Sequence, residues 1–190
     1  MAVVEYSVKD RIGYATLNRP EKRNALSPEV ISELKDVLRK AESDEAVKVI
    51  VLRATGDAFC AGADLAYLQE LQRFSYEENL ADSRNLKELF LTLYKLKKVV
   101  IAQVQGPALA GGCGLATVCD FTFAVPVASF GYTEVKIGFV PAIVMIFLLR
   151  KIGEARSKEL LLTGGLVKAQ QAKEMGLVYR VVEPEMLEKE

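Results

Sequence analysis

The sequence contains no histidine. That absence removes Ser-His-Asp and Cys-His nucleophiles and any His-ligated zinc site. Catalysis, if there is any, falls to carboxylates, Lys, Tyr, Cys or backbone groups. Cysteine is scarce: Cys60, Cys113 and Cys119 are odd in number and lack metal-type spacing. They read as reduced thiols, so the expectation is a cytoplasmic protein with no metal site. Net charge is also missing, with 25 Lys and Arg against 25 Asp and Glu. Nothing one-sided is present to attract nucleic acid or an anionic membrane, although a nucleotide-bearing ligand would need only a few cations. The N-terminus has neither a basic nor a long apolar region, so no secretory signal is visible. The longest apolar run, residues 139–149, is interrupted by Pro141 and is too short to span a bilayer. It is expected to be core.

What remains is an ordinary globular mixture of 190 residues, 51% apolar and 26% charged, enough for one domain with a substantial core. Residues 3–8 and 12–17 alternate as strands around a turn at residues 9–11. Ser27-Pro28 opens a helix, with Ser27 as N-cap and Val30, Ile31, Leu34, Val37 and Leu38 at helical spacing. Residues 48–52 and 99–104 read as buried strands. A helical stretch contains Leu65, Leu68 and Leu71, and a long amphipathic helix covers residues 76–96. Residues 115–118 read as the first turns of a helix and 121–125 as a strand. From Pro141 the chain reads mostly helical, and residues 177–182 form a last strand before an acidic tail. Alternating strand and helix favours a layered α/β fold. There is no linker and no internal repeat. The charged end at Glu190 is abrupt, so a C-terminal portion is expected to be missing.

Two glycine-rich loops, residues 55–64 and 106–114, each follow a buried strand and precede a helix. Glycine lets backbone N–H groups approach a ligand closely, and helix N-termini leave donors unpaired. Such a pair of loops suits a two-donor oxyanion site. The second loop is not a Walker A motif, because Gly112-Cys113 stands where Lys-Ser/Thr is needed. Nor is it a dinucleotide fingerprint, since Ala108 replaces a required glycine and Pro107 intrudes. Glycines that merely allow tight helix–strand packing remain the alternative.

Four segments in order carry a resemblance over nearly the whole chain: NRPEKRNAL at residues 18–26, DAFCAGADL at 57–65, GPALAGGCGLA at 106–116 with Cys119-Asp120, and FGYTEVKIG at 130–138. Together they resemble the crotonase (enoyl-CoA hydratase/isomerase) superfamily. The resemblance implies a spiral of ββα turns with layered sheets, forming one acyl-CoA-binding catalytic domain over residues 1–190. Its C-terminal helical oligomerisation part would be missing. The thioester carbonyl would be bound by the N–H groups of Ala63 and Gly111, and Glu134 would be the general acid/base. Coenzyme A contacts would fall at Lys22, Arg23, Ala25, Ala61, Asp64, Leu65 and Ala66. Coenzyme A would come as part of the substrate, with no permanently bound cofactor. The full-length protein would form a homotrimer or dimer of trimers, with no nucleic-acid or membrane partner.

One departure stands out. Typical hydratases of this family carry a second glutamate three residues beyond the oxyanion glycine; here that position is Gly114. Three reactions stay open. They are hydration with Glu134 alone, Δ3,Δ2-enoyl-CoA isomerisation through a dienolate, and decarboxylation of a methylglutaconyl thioester. The GGCGLA and FGYTEVKIGFVPA patterns resemble branched-chain hydratases of the methylglutaconyl-CoA type. A catalytically weak acyl-CoA-binding or assembly subunit is the reading from another class. Asp64 is expected to be positional and Asp120 to anchor a turn. Tyr132 reads as packing or as a donor to water or substrate, and Cys60 and Cys113 as space-filling.

Overall fold

A computed structural model describes residues 2–189. Strands β1 (Val4–Lys9) and β2 (Ile12–Leu17) form a hairpin in register Val4↔Leu17 to Lys9↔Ile12. Its turn is only Asp10-Arg11, both at positive φ (51° and 66°), the backbone that matches the twist of a two-residue hairpin. Helix α1 (Pro28–Ser43) starts as the sequence implies, with the Ser27 hydroxyl accepting from Val30 N–H and Pro at the first position. Its buried stripe, Val30, Ile31, Leu34, Leu38 and Ala41, packs on the sheet. Strand β3 (Val49–Ala54) follows, then α2 (Leu65–Leu71), α3 (Tyr76–Lys95) and β4 (Val99–Val104). Helix α3 begins with a reciprocal capping box between Ser75 and Glu78. It is tied to α1 by Lys35, whose Nζ donates to Asn85 Oδ1 (2.7 Å) and Glu88 Oε2 (2.9 Å).

The second half contains β5 (Ala108–Leu109), α4 (Gly111–Val118), β6 (Phe121–Ala124), β7 (Ser129–Gly131), α5 (Ala142–Ile152), α6 (Glu154–Thr163), β8 (Val167–Lys168), α7 (Ala169–Met175) and β9 (Arg180–Val181). One six-stranded sheet runs β1-β2-β3-β4-β6-β9, antiparallel only at its first pair, and β5-β7-β8 form a smaller sheet. The core between sheets and helices is built on Phe59, Phe90, Leu115, Phe130, Tyr132 and Leu148, all fully buried. Each such side chain contributes about 1.5–3 kcal/mol by leaving water.

Three expectations are revised. Residues 139–149 are not uniformly core. Helix α5 begins only at Ala142, and its stripe Val144, Phe147 and Leu148 is buried, whereas Phe139, Val140, Met145 and Ile146 are exposed. A helix buries one face, whatever the composition of the other. Helix α4 begins at Gly111, inside the stretch read as loop, because Gly112 has no Cβ to strike the Cys60 backbone. The last strand shrinks to Arg180–Val181 beside β6. No helix among the described residues is long and apolar enough to cross a membrane.

Candidate active site

The two glycine-rich loops are locked together. The Pro107 carbonyl accepts from Phe59 N–H (3.1 Å) and Cys60 N–H (3.2 Å), and Leu109 N–H donates back to the Cys60 carbonyl (2.9 Å). The chain through Leu26 clamps the first loop from its other side. Leu26 N–H donates to Gly62 O (2.7 Å), and Leu26 O accepts from Asp64 N–H (2.9 Å). In this parallel bridge Ala63 lies between the two bonded residues, so its own N–H turns away from Leu26. Ala63 is exposed, and its N–H has no partner among the described residues.

Gly111 is the first residue of α4, and the first bond closing that helix runs from Gly114 N–H to Ala110 O (3.0 Å). The Gly111 N–H is therefore left over. Ala110 before it adopts φ 51° and ψ −125°, a conformation ordinarily reserved for glycine. It is held there by its N–H on the Gly131 carbonyl (2.8 Å). A Cβ on Gly62 would come 2.7 Å from Ala110 Cβ and 3.7 Å from Gly111 N, so the two loops meet closely at Gly62 and residues 110–111. The two unpaired donors thus lie on loops that touch each other.

Glu134 reaches the same region through β7, which pairs Leu109↔Gly131 with β5. It opens a short 3-10 turn, Glu134–Ile137, closed by Gly138 in the left-handed conformation. The carboxyl is half-buried, and Oε2 is buried without a hydrogen-bond partner. Burial pushes its pKa up, opposed only by its own backbone N–H. A half-buried carboxyl with one oxygen unpartnered is free to exchange a proton with something bound beside it.

The other sequence candidates gather around the first loop. Lys22 and Arg23 are exposed, at the end of a 3-10 turn (Pro20–Lys22). The Arg23 carbonyl accepts from Ala61 N–H (3.0 Å). Ala25 is buried and held by its N–H on Lys22 O (3.1 Å), so it has little but backbone to offer a ligand. Leu65 is 74% exposed, and Ala66 is exposed beside it. Asp64 is engaged internally, accepting from Ala66 N–H (2.9 Å) and from Arg19 Nη1 (2.8 Å). Burial works to raise its pKa, but Arg19 and the Ala66 N–H outweigh it and hold the carboxyl below its usual range. The carboxyl is thereby tied up within the chain at the start of α2.

Asp120 is an anchor: its Oδ2 accepts from Val100 N–H (2.8 Å) at the start of β4. Tyr132 packs, fully buried, and does not reach solvent. Cys60 and Cys113 are buried, and burial pushes both thiols up to about 12.

Sequence reasoning gave Asn24 no role, yet it organises the site. It is 1% exposed, its Oδ1 accepts from Arg19 N–H, and its Nδ2 donates to the Thr55 and Ala58 carbonyls, each at 2.8 Å. The available signal was an Asn closing the polar run ahead of the apolar Ala25-Leu26 pair, a residue type that tolerates the positive φ (55°) found there.

The sequence pattern of the enoyl-CoA hydratase/isomerase family matches residues 7–190. The chain belongs to that family. Members of the family are enzymes, and this chain is one of them. A Thermus thermophilus relative is 47% identical over 176 residues, covering 93% of this chain and 70% of that protein. The crotonyl-CoA hydratase of Syntrophomonas wolfei is 36% identical over 181 residues, covering 94% of this chain and 68% of its own length. The crystal structure of an enoyl-CoA hydratase from Mycobacterium smegmatis superposes with a TM-score of 0.93 at 34% identity, over 98% of this chain and 72% of that one. The crotonase fold implied by the four motifs is therefore the fold observed.

Proposed function

We propose that this family member adds water across the C2=C3 bond of an enoyl-CoA, with Glu134 as its single carboxylate. What supports the reading is the half-buried Glu134, with its Oε2 unpartnered, on a segment that β7 and the Ala110–Gly131 bond tie to the loop carrying the spare Gly111 N–H, the spare Ala63 N–H lying on the adjoining loop. In this reading the thioester oxygen accepts from both N–H groups. Charge grows on that oxygen as the enolate forms, so preorganised donors favour the transition state over the ground state. Glu134 takes a proton from water, the water oxygen adds to C3, and the same carboxyl returns a proton to C2. Lys22 and Arg23 supply the exposed cations for the phosphates of coenzyme A. The surfaces of Ala25, Ala61, Leu65 and Ala66 border the rest of the carrier, with Asp64 shaping the helix start. A branched acyl chain of the methylglutaconyl type is the finer candidate, on the GGCGLA and FGYTEVKIGFVPA patterns.

A second reading, Δ3,Δ2-enoyl-CoA isomerisation, is favoured by the surroundings of Gly114. Phe90 and Val144 crowd that position, so apolar groups occupy the ground where a water-orienting second carboxylate would stand. One carboxyl suffices to carry a proton between C2 and C4. Product analysis separates the two. Conversion of crotonyl-CoA to the 3-hydroxyacyl thioester supports hydration. Conversion of a 3-enoyl-CoA to its 2-enoyl isomer, with crotonyl-CoA untouched, replaces it with isomerisation. A higher kcat/KM for methylglutaconyl-CoA than for crotonyl-CoA supports the branched substrate, and the reverse rejects it.

A further inference from the structure

The Glu134 side chain is not held by any hydrogen bond to its buried oxygen, so its position relative to the Gly111 donor must come from the chain around it. We propose that Tyr132 is a positioning residue that fixes the Glu134 turn to helix α4 through Thr117, and so sets the geometry between carboxyl and oxyanion donor. The inference rests on the reading of Glu134 and Gly111 given above.

The Tyr132 hydroxyl lies 2.7 Å from Thr117 Oγ1, and both groups are buried. The Thr117 hydroxyl donates its proton to the Cys113 carbonyl (2.8 Å). Its proton is thus committed, and the phenol must be the donor in the pair. Thr117 belongs to the helix that starts at Gly111, and Tyr132 stands two residues before Glu134. The bond therefore joins the element carrying one proposed catalytic group to the segment carrying the other. A second tie, Ala110 N–H to Gly131 O (2.8 Å), holds the same two segments at the N-terminus of α4. Between them they leave the Glu134 turn little freedom against Gly111.

Packing alone does not call for the hydroxyl. Tyr132 lies in the same buried core as Cys113, Leu115 and Ala116 of α4, and a phenylalanine ring would fill the same space. A buried phenol loses water, and its bond to Thr117 returns only about 0.5–1.5 kcal/mol. What the hydroxyl adds is direction: one ring orientation and one spacing between β7 and α4.

The test is Tyr132→Phe, with Thr117→Val and Thr117→Ser alongside. Tyr132→Phe and Thr117→Val are each expected to lower kcat roughly 10- to 100-fold with KM little changed, as small misplacements of a catalytic group do. The double variant is expected to be no worse than either single one, and Thr117→Ser to retain activity. Equal kcat in native and Tyr132→Phe protein, or additive losses in the double variant, overturns the proposal.

A readout independent of turnover is the titration of the Glu134 carboxyl by NMR with labelled glutamate. The titratable groups that sense Glu134 are Tyr132 and Cys113, both kept neutral by burial. A freed turn lets water in, so the Glu134 midpoint falls toward the ordinary Glu value in Tyr132→Phe; an unchanged midpoint contradicts the tether. If Glu134→Gln itself keeps full activity, the functional reading has failed, and the titration still decides on the tether.

Discussion

Gly114 and Val144 stand too close to admit a side chain between them. A Cβ on Gly114 would lie 2.5 Å from Val144 Cγ1, with the Phe90 ring at 3.1–3.2 Å on the other side. Helix α4 meets α5 and α3 at this glycine, so the close approach of three helices depends on it. The position at which the family resemblance leads one to expect a second glutamate is thus sealed by core packing.

Gly114→Ala measures that seal. Alanine gains about 1 kcal/mol of helix propensity over glycine, whereas overpacking costs about 1–3 kcal/mol. Overpacking wins, because valine is stiff at χ1 and cannot swing aside. The single variant is expected to lose about 1 kcal/mol in urea unfolding. Placed in a Val144→Ala background the same change becomes neutral or stabilising. Additive effects of the two substitutions would mean that the helices shift freely to make room.

Asn24→Ala tests the residue that fastens the first loop. It removes three hydrogen bonds, one buried and two part-buried, and leaves the Thr55 carbonyl unpaired, at a cost of about 2–4 kcal/mol. Arg23 and Ala61 sit on the loops that Asn24 joins, so KM for the coenzyme A ester should rise as well. Urea unfolding and steady-state kinetics check the two parts separately. Loss of stability with KM unchanged would mean that Asn24 supports the fold alone.

Much of this was legible before the structure. The hairpin, α1 with its Ser27-Pro28 start, and the strands at β3 and β4 follow from periods of 2 and 3.6 and from capping chemistry that acts within a few residues. The small β5-β7-β8 sheet was not legible, because strands of two or three residues carry no period. It is nonetheless the sheet that pairs the strand leading to Gly111 with the strand leading to Glu134. The exposed half of residues 139–149 escaped for a related reason: composition does not say which face of a helix meets a neighbour. At the site, the glycine loops and Glu134 were visible as motifs. The closure over Gly114 and the Tyr132–Thr117 bond are contacts between distant segments, and no local signal encodes them.

The three thiols give an inexpensive check on burial. Cys60, Cys113 and Cys119 are all buried, and burial pushes each up to about 12. A buried neutral thiol is a poor nucleophile. Titration with a colorimetric disulfide reagent at neutral pH should find no fast-reacting thiol in the native protein and three after unfolding. A fast native reaction would place at least one of these loops in a more open state.

Glu134 also leaves a mark on stability. Its carboxyl has a raised pKa in the folded chain, so the folded state holds that proton more tightly than the unfolded state. Stability from this group is full at low pH and is lost as pH rises through the folded-state value. Glu134→Gln carries no charge at any pH and avoids the loss. Its Tm is expected to exceed that of the native chain near neutral pH, and the gap to close as pH falls toward about 4.3, the ordinary Glu value. A native chain more stable than the variant at neutral pH would mean that the carboxylate has found a stabilising partner.

The central claim is that one carboxyl, Glu134, does the proton transfer. Single-substrate kinetics with crotonyl-CoA, native chain against Glu134→Gln, test it most directly. If Glu134 carries the proton, kcat falls about 10²–10⁴-fold in the folded variant with KM nearly unchanged, since in the proposed function the substrate is held by backbone donors and the loops around residues 22–25 and 61–66. It also predicts that native kcat/KM rises with pH through a midpoint above the ordinary Glu range. A folded Glu134→Gln variant that keeps native kcat would contradict the account and assign the proton to another group.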